Sequence, residues 1–96
     1  MIYAFQIEIP NGPIKIGCAK DASKRISEFE KHLPWPIKTL GIWPGSYEVE
    51  KVIHERFQYY IMQGEWYLPS REIIWTLDHI EIHGTKFMLP MYRWHR

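Results

Sequence analysis

The first half of the chain predicts a β-hairpin followed by a third strand. Residues 2–9 combine polar and apolar alternation with strand-forming side chains, the turn sequence PNGP follows, and residues 14–18 form the returning strand. Residues 37–43 repeat the strand pattern and end at a Pro-Gly pair. A helical segment separates the hairpin from this third strand.

Helical spacing of apolar residues predicts three helices, each beginning at a residue suited to cap a helix. The predicted helices are residues 21–33, 46–62 and 70–79. The order β-β-α-β-α, with an extra helix and a C-terminal tail, predicts an α+β fold. We expect a small mixed or antiparallel three-stranded sheet flanked by helices. Residues 1–80 form the expected domain, and residues 81–96 form a tail or arm of the same domain.

The composition is that of a folded domain, because 46% of the 96 residues are hydrophobic and 24% are charged. Charge is unevenly spread along a chain whose formal net charge is +1. Residues 1–40 hold six Lys/Arg against four Asp/Glu, residues 41–80 hold three against six, and residues 81–96 hold three against one. A basic front and tail around an acidic middle favour a site that holds phosphate beside carboxylates, although charged runs more often only solvate a surface.

The single cysteine and the N-terminal sequence indicate the compartment. Cys18 alone excludes an internal disulfide and fits a reducing environment. The start, MIYAFQIEIP, resembles no secretory leader, and no apolar run is long enough to span a membrane. We therefore expect a cytoplasmic protein with no membrane partner.

Two charged side chains border the apolar stripes of the first two helices. Arg25 is explained either by an arginine whose stem covers the edge of the core or by a functional contact. Glu50 is explained either by a favourable position near a helix N-terminus or by an ion pair or metal. His79 and His83 are spaced as a zinc pair, but zinc requires three or four protein ligands.

Four short motifs, in order, resemble the GIY-YIG nuclease family. MIY contains Tyr3, KIG spans residues 15–17, GCAKDASKR ends at Arg25, and EKVIHERF begins at Glu50. The closer resemblance is to a compact phage and bacterial branch, through the pattern E-x-x-x-H-x-x-F and the GEWY sequence of residues 64–67. The resemblance covers about two thirds of the chain.

The resemblance implies a metal-dependent DNA endonuclease associated with phage or mobile elements. In this interpretation Glu50 holds a divalent cation, preferably Mg²⁺ with Mn²⁺ as the alternative, and Tyr3 is the general base. Arg25 and Lys15 contact the scissile phosphate, and their charges are expected to lower the pKa of Tyr3. The secondary site candidates are His54 and Glu65. The candidates for nucleic-acid contact are Lys20, Lys24, Arg56, Arg93 and Arg96.

Departures from the family pattern leave other functions open for the protein. Met1 replaces a glycine, Lys15 replaces a tyrosine, and a frequent histidine and a late asparagine lack counterparts. One alternative is a catalytically silent DNA-binding module. Another is an interaction protein whose aromatic tail contacts a second copy or another protein. Lys15 then becomes a solvated strand residue and Tyr3 a core aromatic. Whether the DNA is single-stranded or duplex stays open.

Overall fold

The computed structural model describes residues 1–85 and confirms the predicted α+β class. Within these residues a five-stranded antiparallel sheet is flanked by three α-helices. No helix in the same range has the length and apolar character needed to cross a membrane. The predicted contacts Arg93 and Arg96, and most of the predicted tail, lie outside the described residues.

The N-terminal hairpin forms as predicted, with a slightly shorter first strand. Strand β1 (Ile2–Ile7) pairs antiparallel with β2 (Ile14–Cys18). The turn between them is tight and requires a glycine at residue 12, since a Cβ there would lie 1.9 Å from the carbonyl oxygen of Ile7. Gln6 Nε2 also donates to the Gly12 carbonyl at 2.9 Å. The hairpin therefore follows from local chemistry.

Capping side chains start the first and third helices where the sequence predicts them. Helix α1 (Ala22–His32) follows Asp21, whose carboxylate accepts a backbone N–H of the first turn at 3.0 Å. The third helix (Arg71–His83) follows Ser70, whose hydroxyl accepts a backbone N–H at 3.2 Å. This third helix, α3, extends beyond its predicted end.

Helix α2 (Tyr47–Phe57) ends earlier than predicted. Ser46 lies at its N-cap, but the serine side chain makes no capping hydrogen bond. After Phe57 the chain makes one 3-10 turn over Gln58–Tyr60 and then becomes extended, so the predicted end at residue 62 is wrong. The aromatic and β-branched residues that follow favour extended backbone, and Gly64 at φ 58° permits the turn that comes next.

The sheet has five strands within the described residues, so the predicted count of three is wrong. Strand β3 (Ile37–Trp43) has its predicted bounds and lies at one edge, beside β1. Strands β4 (Ile61–Gln63) and β5 (Trp66–Tyr67) complete the order β3-β1-β2-β5-β4. Segments of three and two residues are too short to show a period-two pattern. Tertiary pairing with β2 is what makes β5 a strand.

The two faces of the sheet build separate cores. One face packs against α2 and α3, and its buried residues are Ile2, Ala4, Ile14, Ile16, Trp43, Val49, Val52, Ile53, Phe57, Tyr67, Ile73, Leu77 and Ile80. The opposite face packs against α1, and its buried residues are Tyr3, Phe5, Ala22 and Ile26. The α1 face is therefore the smaller core, bordered by half-buried side chains.

The end of α3 is bound to the end of β3. Trp43 Nε1 donates to Glu81 Oε2 at 2.5 Å, and the Thr85 hydroxyl donates to the carbonyl of Pro44 at 2.5 Å. Both bonds join segments distant in sequence. Glu81 and Thr85 therefore hold the end of α3 against the end of β3.

Candidate functional site

Three polar residues from α2 and from the turn before β5 come together in one cluster. Glu50 and His54 lie one helical turn apart, with Glu50 Oε2 3.5 Å from His54 Nε2. Glu65 joins them, so that one ligand atom from each residue lies within 4.8 Å of the others. Among residues 1–85 this is the one group of three or more side chains placed to share a metal ion. His79 and His83 do not belong to it.

Two buried atoms of this cluster make no hydrogen bond to any described residue. They are Glu50 Oε2 and His54 Nε2, and Glu50 is only 8% exposed. The other ring nitrogen, His54 Nδ1, hydrogen-bonds with the hydroxyl of the fully buried Tyr67. The two rings also stack, with centroids 5.4 Å apart. Tyr67 thus orients the imidazole so that Nε2 faces Glu50, and both unsatisfied atoms are suited to bind a further group.

The environment of Glu50 raises its pKa above the ordinary value. Burial is the main cause, because it disfavours the charged form, and the nearby Glu65 carboxylate adds to the effect. His54 opposes both with its own charge. A carboxylate held in this way is stabilised by any cation that enters the cluster.

Lys15 lies at the side of the cluster and has three partners of its own. Its ammonium is 3.0 Å from Glu65 Oε1 and lies over two rings, 5.3 Å from the centroid of Phe29 and 5.6 Å from that of Trp66. The lysine side chain is only 12% exposed. The alternative of a solvated strand lysine is therefore wrong. Glu65 is 42% exposed, so solvent weakens the ion pair, and the two rings add cation–π contacts to the lysine.

Tyr3 is 1% exposed and lies on the same face of the hairpin as Lys15, as predicted. Its ring crosses Gly17, where a Cβ would meet the Tyr3 hydroxyl at 2.4 Å. Arg25 is exposed on α1, and its charge acts on the Tyr3 hydroxyl. The predicted fall in the Tyr3 pKa is wrong: burial, and then the Glu65 carboxylate, raise this pKa more than Arg25 lowers it.

The other predicted nucleic-acid contacts differ in their surroundings. Lys20 lies just before α1 and Lys24 lies in its first turn, and both are exposed. Arg56 is half-buried, and its Nε makes no hydrogen bond to any described residue. Their role in binding stays a prediction.

Sequence reasoning missed the aromatic side chains that hold the polar ones. The ring of Phe29 lies under the Lys15 ammonium. Trp66 pairs with Lys15 across two strands, and Tyr67 orients His54. The signal was present in the GEWY sequence, where an aromatic pair directly follows Glu65. It could be interpreted only once β5 was known to lie beside β2.

The residues of this cluster belong to a nuclease-associated domain. The T5orf172 domain model matches residues 1–81, and the chain therefore belongs to the T5orf172 domain family. The assignment to the GIY-YIG family is wrong, because the family that matches is a distinct one, associated with endonuclease-related phage proteins. Membership indicates a nuclease-like or DNA-binding module. No curated protein and no solved structure shows significant similarity to the chain.

Proposed function

We propose that this domain is a metal-dependent endonuclease that hydrolyses phosphodiester bonds of DNA. The observation that carries the proposal is the pair of unsatisfied buried atoms, Glu50 Oε2 and His54 Nε2, within reach of Glu65. Nearby cations, Lys15 and Arg25, supply positive charge for a phosphate. Carboxylates beside cations are the arrangement that metal-assisted phosphodiester hydrolysis requires.

The donor set fits a hard divalent cation. Glu50 and Glu65 offer the carboxylate oxygens that Mg²⁺ and Mn²⁺ prefer. When bound there, such an ion lowers the pKa of its water and neutralises charge on the phosphate. We assign Glu50 as the main ligand, because its Oε2 is buried and makes no hydrogen bond to the described residues, its near neighbour being His54 Nε2 at 3.5 Å, and Glu65 as the second.

Lys15 and Arg25 have different roles in holding the phosphate. Arg25 is exposed and interacts with the Tyr3 hydroxyl, and the fork of its guanidinium has further N–H donors for phosphate oxygens. Lys15 is already held by Glu65 and by two rings, so it supplies a fixed positive charge. Together they position the strand against the carboxylates.

In this proposal His54 is the general base. A raised pKa keeps the phenol of Tyr3 protonated near neutral pH, so we assign Tyr3 a hydrogen-bond donor role instead of the general base. In the neutral tautomer in which His54 Nδ1 donates to the Tyr67 oxygen, Nε2 is the acceptor that this role requires. An imidazole oriented by a second group is the usual form of a general base.

The experiment compares cleavage of labelled single-stranded and duplex DNA by the wild type and by Glu50→Gln, with Mg²⁺, Mn²⁺ or EDTA. We expect metal-dependent cutting, and a loss of at least about 100-fold in the variant. Glu48→Gln is the matched control, because Glu48 lies exposed in the same first turn of α2. Mn²⁺ should also raise the unfolding temperature of the wild type and of Glu48→Gln, but not of Glu50→Gln.

Two results contradict the proposal: cutting that persists in EDTA, or equal cutting by the Glu50→Gln variant. A catalytically silent DNA-binding module is the second candidate, and the Lys15–Glu65 ion pair favours it because it engages a carboxylate needed for the cation. That alternative predicts salt-sensitive DNA binding with no cutting under any condition.

A further inference from the structure

Two aromatic rings and a lysine meet on the α1 face of the sheet. The Lys15 ammonium lies over both Phe29 and Trp66, whose rings contact each other edge to face with centroids 6.4 Å apart. Each ring is half-buried, so each keeps an edge or face open to solvent. Aromatic rings beside cationic groups are typical of surfaces that bind single-stranded nucleic acid.

A hollow opens beside each of these rings. The Trp66 hollow has a volume of about 260 Å³ and is lined by Ile7, Pro13, Met62, Gln63 and Trp66. The second, smaller hollow of about 170 Å³ lies along α1 and is lined by Arg25, Glu28, Phe29 and His32. Both are smaller than the roughly 300–1,000 Å³ of sites for drug-sized ligands, and so suit a single ring system.

The Trp66 hollow has the chemistry to take a base and not a phosphate. Its lining carries no charged side chain, and the Gln63 amide is its one side chain with strong donors and acceptors. The Lys15 ammonium, which also pairs with Glu65, is 5.6 Å from the Trp66 centroid. The backbone of a base in the hollow therefore comes near the cation that we assign to the phosphate. The α1 hollow suits a base less well, because the charged side chains of Arg25 and Glu28 both line it.

A paired base cannot enter a hollow of this kind. In a duplex each base is stacked and hydrogen-bonded, and must be extruded before a protein ring can take it. An unpaired base meets no such cost, and stacking on an aromatic ring stabilises it in any sequence.

We propose that the site takes an unpaired strand, with one base in the Trp66 hollow and the adjoining phosphate at Lys15. This inference rests on the proposed function in placing the phosphate at Lys15. It selects single-stranded over duplex DNA as the substrate class.

The test measures binding of the full chain to a fluorescent single-stranded oligonucleotide of about eight nucleotides, in EDTA so that no cutting occurs. One base at a time is replaced by an abasic site. We expect one position at which affinity falls about tenfold, with smaller losses elsewhere. The matching duplex should bind more weakly than the single strand at equal salt.

Met62→Glu locates the base within the hollow. Met62 is 53% exposed, so a carboxylate there enters the hollow with little cost to the core. The variant should lose the position-specific abasic effect, while Leu68→Glu, an equally exposed site outside the hollow, should keep it. For each variant the effect is the ratio of its affinities for the abasic and the intact oligonucleotide. A general change in charge alters both affinities alike and leaves this ratio unchanged. Gln63→Ala is the second variant, for use if Met62→Glu does not fold.

The results separate this inference from the proposed function. Uniform abasic losses, or a duplex that binds as tightly as the single strand, overturn the inference even if metal-dependent cutting is observed. A single sensitive position that Met62→Glu removes supports the inference even if no cutting occurs, and in that case the hydrolytic function alone fails.

Discussion

The two faces of one sheet differ in how completely they are covered. On the face packed by α2 and α3, fully buried aliphatic and aromatic side chains form the larger core. On the α1 face a single helix covers only part of the sheet, and the buried tyrosine, a lysine and two hollows lie there. Glu50 and His54 of the polar cluster lie on α2, which packs on the larger core, and Glu65 pairs with Lys15 of the α1 face. The larger core thus stabilises the domain, and the candidate chemistry draws on residues of both faces.

This difference follows from the period of two in a strand. Ile14 and Ile16 point to the α2 and α3 face, while Lys15 and Gly17 between them point to the α1 face. A shift of one residue in register would exchange the two sets and bury the lysine in the larger core. Substitutions on the two faces should therefore differ in their cost to stability.

Phe57→Ala should be the most damaging change to stability. Phe57 is fully buried in the larger core, so its loss should cost about 3–5 kcal/mol in the free energy of unfolding. Phe29→Ala on the α1 face removes a half-buried ring and should cost about 1–2 kcal/mol. Urea unfolding followed by circular dichroism measures both. Equal losses would contradict the unequal coverage of the two faces.

Gly17→Ala should distort the α1 face alone. A Cβ at residue 17 would lie 2.4 Å from the Tyr3 hydroxyl oxygen and 2.6–2.8 Å from two carbons of its ring. The tyrosine side chain must therefore move, at a cost of about 1–3 kcal/mol. Unfolding measurements on a double-mutant cycle with Tyr3→Leu provide the control. If the clash is with the ring, Gly17→Ala should cost much less in the Tyr3→Leu background. A loss of the same size in both backgrounds would exclude the ring as the cause.

Glu50→Gln should stabilise the metal-free domain while abolishing cutting. The folded-state pKa of Glu50 is raised, so between the ordinary pKa and the raised one the folded state holds a proton that the unfolded state has released. Stability contributed by this group is therefore present at low pH and lost as pH rises through the folded pKa.

At pH 8 the free energy of unfolding of the variant should exceed that of the wild type by about 1 kcal/mol, since glutamine carries no buried charge. The advantage should shrink as pH falls toward the ordinary carboxyl pKa. Thermal unfolding across pH, with Glu48→Gln as the control, measures it. If the stability advantage of the variant grew as pH fell, the folded-state pKa of Glu50 would be lowered and not raised.

Lys15→Gln should have the smallest effect on stability. Glu65 is 42% exposed, so the loss of its ion pair should cost less than about 1 kcal/mol. Affinity for single-stranded DNA should nevertheless fall, and its dependence on salt should become shallower, because one phosphate contact is lost. Lys38→Gln, an exposed lysine on edge strand β3, is the matched control in an anisotropy titration. An unchanged salt dependence would remove Lys15 from the phosphate site.

Elements with local signals could be predicted from the amino-acid sequence. The PNGP turn, the Asp21 cap and the strand of residues 37–43 each depend on a few neighbouring residues, and all three lie where the sequence predicts them. Helical spacing also placed Glu50 and His54 one turn apart at the edge of a buried stripe. These predictions succeed because the period of a helix or strand and the chemistry of a cap or turn act over a few residues.

The contacts among those residues depend on the folded arrangement of the strands and helices. Strand β5 pairs with β2 across some fifty residues of sequence, and this pairing brings Glu65 to Lys15 and Trp66 to the same side. The pKa of Tyr3 rises because burial and the Glu65 carboxylate outweigh Arg25, and burial cannot be read from charge spacing alone. The physical reason is the same in both cases: solvent exclusion and long-range pairing depend on the whole fold.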